Sequence, residues 1–142
     1  INKAGRGQVG AVYGPVASIY FRSHHPWLRD FIGDLADKLF PKPAVEVISG
    51  PSGLEVSLRR TRDGKLAVHL LNTANRPLPD RFGFTDHIPS LENIHLIIQT
   101  PSKPHSVTWV PDGGKLVWLW QNGHDLAVTV PKLRIHGVVI VD

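Results

Sequence analysis

The stretch that decides the fold is Val107 to Trp120, VTWVPDGGKLVWLW. Two apolar runs flank Pro111-Asp112-Gly113-Gly114, four residues of the kinds that tight turns select. We read it as a β-hairpin in which Val110 pairs with Lys115, so that Trp109 faces Leu116 and Val107 faces Trp118. Side chains alternate along a strand. Val107, Trp109, Leu116, Trp118 and Trp120 therefore share one face, and Thr108, Val110, Val117 and Leu119 share the other. Both faces are apolar enough to expect the ribbon inside a packed β structure.

Working outward, the same alternation recurs. Ala44 to Ile48 alternates before the turn residues Gly50-Pro51-Ser52-Gly53. Leu54, Val56 and Leu58 then oppose Glu55, Ser57 and Arg59. Arg62-Asp63-Gly64-Lys65 carries the Asp-Gly hairpin signal, and Leu66 to Leu71 returns. Thr73 to Ser90 reads as a long polar loop pinned by Phe82 and Phe84. Ile94 to Gln99, Leu126 to Val130 and Leu133 to Val141 complete the set, with Asn122-Gly123-His124-Asp125 as another turn. Short strands at this spacing with no helix between them predict a mainly β fold: an antiparallel β-sandwich of about 7–8 strands over residues 44–142.

Residues 1–43 read differently. Gln8 to Tyr13 and Ala17 to Phe21 are two strand candidates among turn glycines at 5, 7, 10 and 14. Those glycines match neither G-x-G-x-x-G nor a Walker sequence. Pro26 to Phe40 is a helix, because Trp27, Leu28, Phe31, Ile32, Leu35, Leu39 and Phe40 recur at helical spacing as one apolar stripe. Pro26 suits the first turn, Lys38 suits the last, and Pro41-Lys42-Pro43 stops the helix. The stripe must bury against a partner, with Trp27 as its anchor. We place a boundary at 43, leaving a short strand-strand-helix piece of an α/β domain ahead of the sandwich.

Composition excludes several classes. The chain has 142 residues, 42% hydrophobic and 20% charged, the balance of a globular protein. It holds no cysteine, hence no disulfide and no thiolate metal site. A charge of +4 with its basic residues dispersed gives no nucleic-acid footprint. No apolar run reaches the roughly 18–20 residues of a membrane span, and no signal peptide is evident. The compartment stays open, with the cytoplasm slightly favoured. There is no methionine, and the chain opens on Ile1-Asn2-Lys3, which reads as a piece of a longer protein.

No catalytic set emerges. Glycoside hydrolysis needs two opposed carboxyl groups, one of them protonated. Asp63, Asp112 and Asp125 are explained as turn residues; Asp80, Asp86 and Glu92 are the least explained, and nothing converges on them. The eight histidines show no H-E-x-x-H or other tight ligand spacing. His69, His95 and His136 each fall within a strand and read as surface or hydrogen-bonded core residues. Neither a catalytic residue, a metal site nor a cofactor is expected. An exposed indole can stack on a sugar ring, and the same side chain is an effective core filler. We take Trp109, Trp118 and Trp120 as core first and sugar-binding candidates second, with Trp120 nearest a surface.

The run GRGQVGAVYGPVASIYFRSHHPWLRDFIGDLADKLFP resembles the end of the glutamine-amidotransferase-like α/β domain of certain multidomain glycoside hydrolases. In the β-galactosidase group this is the trimerisation domain. Gly5-Arg6-Gly7, His24-His25-Pro26 and the Leu28–Phe40 helix carry the likeness. The remainder, from VEVISG through LAVTVPKLRIHGVVIVD, resembles the small β domain that follows it in β-galactosidase- and α-L-fucosidase-type enzymes. The resemblance implies a catalytic barrel elsewhere in the parent chain and no catalytic residue here. The expected function is a non-catalytic accessory domain that braces the enzyme, with the upstream catalytic domain as partner and an oligomer as a further possibility. The alternatives are a carbohydrate-binding module that uses the tryptophans, and a free-standing enzyme with an unrecognised site.

Overall fold

The computed structural model describes residues 1–50, 53–74 and 87–142. Pro51, Ser52, Phe82, Phe84, Asp80 and Asp86 lie outside the described residues, with the expectations that fell on them. The chain divides into two units, Ile1–Pro43 and Ala44–Asp142.

In the first unit, β1 (Asn2–Ala4) pairs antiparallel with β2 (Gly7–Val9). The turn between them places Gly5 at a φ of 59°, a conformation that costs a glycine little. Two helices follow, α1 (Val16–Ser23) and α2 (Pro26–Leu39). Helix α2 is as expected: Pro26 occupies the first turn and Lys38 the last, and the Phe40 N–H closes on the Ala36 carbonyl at 2.7 Å. Helix α1 corrects the strand expected over Ala17–Phe21. Its Ile, Tyr and Phe favour strands only as a context-dependent tendency, and five residues are too few to separate the two periods. Here Val16 and Tyr20, four apart, are the half-buried pair. His24 ends the helix in the left-handed region, its N–H bonded to the Tyr20 carbonyl at 2.7 Å. The strand expected over Gln8–Tyr13 is likewise shorter and ends at Val9.

The unit has little interior. Neither helix has a single buried residue, although Gly10 lies under Leu35 and Leu39, so close that a Cβ there would sit 3.0 Å from Leu39 Cδ1. Trp27, expected as the anchor, is 80% exposed, its ring edge-on to that of His25 with centroids 5.6 Å apart.

The second unit is a two-sheet antiparallel sandwich. Its strands are β3 (Val45–Ser49), β4 (Leu54–Arg60), β5 (Leu66–Asn72), β6 (Leu91–Gln99), β7 (Val107–Val110), β8 (Gly114–Lys115), β9 (Val117–Gln121), β10 (Asp125–Leu133) and β11 (His136–Val141). One sheet runs β3-β6-β10-β9 and the other β4-β5-β11-β7-β8. Alternation supplies the core: Val68 and Leu70 from β5, Val139 and Val141 from β11, Ile94, Leu96 and Ile98 from β6, and Leu126, Val128, Val130 and Leu133 from β10 form one buried cluster. Each apolar side chain in this layer is removed from water, a gain of about 25 cal/mol per Å² buried.

The stretch VTWVPDGGKLVWLW departs from expectation in its register, in the sheet its second strand joins and in its outer face. Lys115 pairs with Thr108 and Gly114 with Trp109, so the hairpin is short and its register differs from Val110 with Lys115. The chain then leaves that sheet at Leu116, which is buried, and β9 joins the opposite sheet beside β10. Val107, Trp109, Leu116, Trp118 and Trp120 nevertheless all belong to or pack on the core. The other face is solvent-exposed, Val117 by 80% and Leu119 by 61%.

Candidate functional site

Each candidate tryptophan is placed by its strand. Trp109 points inward from β7 and is 7% exposed, with Gly137 of the neighbouring β11 directly beneath its ring. Trp118 and Trp120 point inward from β9 and are half-buried against the core. The Trp120 indole N–H donates to Thr100 Oγ1 at 3.2 Å, which gives a partly buried indole the partner it needs. Stacking on a pyranose requires an open indole face; Trp109 offers none, while Trp118 and Trp120 keep part of their surface accessible.

A cavity of about 250 Å³ opens where the β4–β5 turn and the β6–β7 connection meet the end of β11. Lys65, Lys103, His105, Thr100, Ser102 and Asp142 are among its walls. Lys65 is engaged there: its Nζ lies 2.9 Å from Asp142 Oδ2 and 3.8 Å from Asp63. The hydrogen bond to Asp142, and then the charge of Asp142, raise the Lys65 ammonium above its usual 10.5. The Thr61 hydroxyl and the Asp63 backbone N–H hold the Asp63 carboxyl below its usual range. A carboxyl held low, as Asp63 is, is not the proton-retaining acid that glycoside hydrolysis requires. A raised lysine contributes stability that is complete below its unfolded value and is lost as pH rises through the folded one. Lys65→Met is therefore expected to flatten a shallow alkaline loss of stability above about pH 10.5, with little change at neutral pH because exposed pairs contribute little. Urea titrations at several pH values check it; an undiminished alkaline slope in the variant would assign that slope elsewhere.

Asp125 and Glu92 are each engaged with neighbouring side chains. Asp125 accepts from Gln99 Nε2 at 2.7 Å and Asn122 Nδ2 at 2.8 Å, fixing the β9–β10 turn in which Asn122 and Gly123 both take positive φ. Glu92 faces Lys132 at 3.7 Å across β6 and β10. His95 Nδ1 meets Thr129 Oγ1 at 3.1 Å.

Two features were not visible in the sequence. Asn72, buried at 5%, donates from Nδ2 to the carbonyls of Pro89 (2.8 Å) and Arg134 (2.7 Å) and accepts from the Ala74 N–H (3.0 Å). His69 and His136 meet on the outer face of the five-stranded sheet, with Nδ1 and Nε2 3.2 Å apart. Both partnerships bridge long sequence separations, and no local spacing announces them.

No protein-family description matches the chain, and no curated protein sequence matches it. Among solved structures it is similar to the α-L-fucosidase isoenzyme 2 from Paenibacillus thiaminolyticus, with a TM-score of 0.76 at 18% identity over 89% of this chain and 19% of that one. A cycloisomaltooligosaccharide glucanotransferase from a Paenibacillus species matches at a TM-score of 0.45 and 20% identity, over 80% of this chain and 20% of that one. The chain thus spans about a fifth of each, and the mainly β architecture is shared with a segment of the α-L-fucosidase.

Proposed function

We propose that this chain is a non-catalytic accessory region of a glycoside hydrolase, serving to pack its domains together or to assemble its oligomer. The observation that carries the reading is the exposed apolar surface of residues 1–43. Trp27 (80%), Phe40 (71%), Phe21 (62%) and Phe31 (47%) are all open to solvent, on or just after helices without one buried residue. An amphipathic helix with an uncovered stripe has a missing partner. The segment is accordingly read as the closing part of an amidotransferase-like α/β domain, its cover supplied by the rest of the parent enzyme. The likeness to a fifth of an α-L-fucosidase supports a parent of glycoside hydrolase type. The share of this chain that it covers exceeds what residues 44–142 supply by themselves.

A second apolar surface agrees with an accessory role. On the outer face of the four-stranded sheet Leu119, Ala127 and Ile97 stand side by side across β9, β10 and β6, with Val117 beside them. Patches of this kind on a folded domain mark contact surfaces.

The test is binding of an apolar fluorescent dye, read together with sedimentation over a concentration series. The intact chain is expected to bind dye and to associate as concentration rises. Trp27→Ser with Phe31→Ser is expected to reduce both without moving the unfolding midpoint of the sandwich. A chain that stays monomeric and binds no dye contradicts the proposal, as does turnover of any glycoside by the chain itself.

A further inference from the structure

We infer that His69 and His136 form a binding site for a divalent transition-metal ion of the class that favours imidazole, represented by Zn²⁺. The site owes nothing to the accessory reading and stands or falls separately from it.

The backbone brings the pair together. In the β5–β11 ladder His136 lies opposite Leu71, and His69 lies opposite Val138. The two histidines are therefore diagonal neighbours on the same outward face of adjacent strands. His69 sits in mid-strand and His136 opens β11, so neither Cα position depends on a loop. The rings are nearly coplanar, 19° apart, with centroids separated by 5.4 Å, and their nitrogens face each other at 3.2 Å.

That separation fits a chelate. Two Zn–N bonds of about 2.0–2.1 Å enclosing a tetrahedral angle place their nitrogens roughly 3.3 Å apart. Turning both rings toward solvent lets both lone pairs meet one ion, in place of the N···N contact that now joins them. The pair borders a depression of about 230 Å³ lined also by Glu55, Ser57, Val56 and Leu71, which leaves room for the ion and its waters. Among the described residues no three His, Asp or Glu side chains form a ready-made set. The site is therefore open, with two imidazoles and solvent as ligands, and imidazole selects Zn²⁺ or Cu²⁺ over Mg²⁺ or Ca²⁺. An ion held there ties β5 to β11 and stabilises the folded state that binds it.

The experiment is calorimetric titration of the full chain with Zn²⁺, with the histidine ring resonances followed by NMR. One ion per chain is expected, shifting the His69 and His136 ring signals first. His69→Asn and His136→Asn should each weaken binding by at least tenfold, the lower end of what losing even a supporting partner of a metal ligand costs. His136 is exposed, so His136→Asn keeps the test meaningful if the His69 variant folds poorly. His24→Asn with His25→Asn removes the adjacent exposed pair and should leave the affinity unchanged. Binding that survives both single variants, binding lost only with His24 and His25, or no saturable binding at all overturns the assignment.

Discussion

Replacing Gly137 by alanine is expected to be among the most damaging single changes in the sandwich. A Cβ at Gly137 would be driven into Trp109 Cζ2 and Cη2, atoms of a rigid ring that is itself 7% exposed. A flexible side chain could swing aside, whereas an indole clamped between two layers cannot. Val139 pairs with Trp109 in the ladder, so relief would have to come from backbone separation of β11 and β7. Overpacking of this kind costs about 1–3 kcal/mol and sometimes more, and this contact lies at the severe end. The cause is specific and so is the rescue. Trp109→Leu alone should cost about 2–4 kcal/mol through the cavity it leaves, and in the double variant Gly137→Ala should add little to that. Denaturant unfolding of the four proteins gives the cycle; strictly additive losses would show that the ring and the glycine are not in conflict.

The second large effect is expected at Asn72. Its side chain satisfies two carbonyls and one N–H on three different pieces of chain. It thereby ties the end of β5 to Pro89 ahead of β6 and to Arg134 in the β10–β11 turn. Asn72→Leu keeps most of the volume, removes all three bonds and leaves partly buried backbone groups without partners. A buried group left unpaired costs about 1–3 kcal/mol; Pro89 and Arg134 are exposed residues, so water takes up part of this and a total loss of about 1–3 kcal/mol is expected. Asn72→Asp should recover only part of it, since a carboxylate still accepts from Ala74 but can no longer donate to Pro89 and Arg134. Unfolding midpoints check the order native, then Asp, then Leu. Equal midpoints for all three would show that solvent replaces the asparagine freely.

What the sequence disclosed follows from which signals are local. Strand alternation in Leu54–Leu58 and Leu66–Leu71, the Asn-Gly and Asp-Gly turns, and the α2 stripe are each contained within a dozen residues, and each is found where it was read. The exchange of sheets at Leu116 is different. Period-two alternation states which side chains face the core and is silent on which strand lies alongside. Trp109 and Trp118 share an inward direction whether their strands pair or sit in opposite sheets. Helix α1 was hidden because ASIYF satisfies the composition of a strand, while its half-buried pair, Val16 and Tyr20, extends one residue beyond that window. The histidine pair and the Asn72 hub depend on register between distant strands, which no spacing in the sequence encodes.

The most direct measurement of the central claim is hydrogen exchange on the intact chain, resolved to individual segments. Exposed helices without a buried residue open at low free energy, whereas core strands exchange only with global unfolding. Amides of β5, β6, β10 and β11 are expected to be the slowest and to share one opening free energy. Those of α1 and α2 should exchange far faster, as helices whose apolar side chains are left uncovered. Protection of α2 equal to that of β10 would show that residues 1–43 already have their partner within this chain, and would contradict the account.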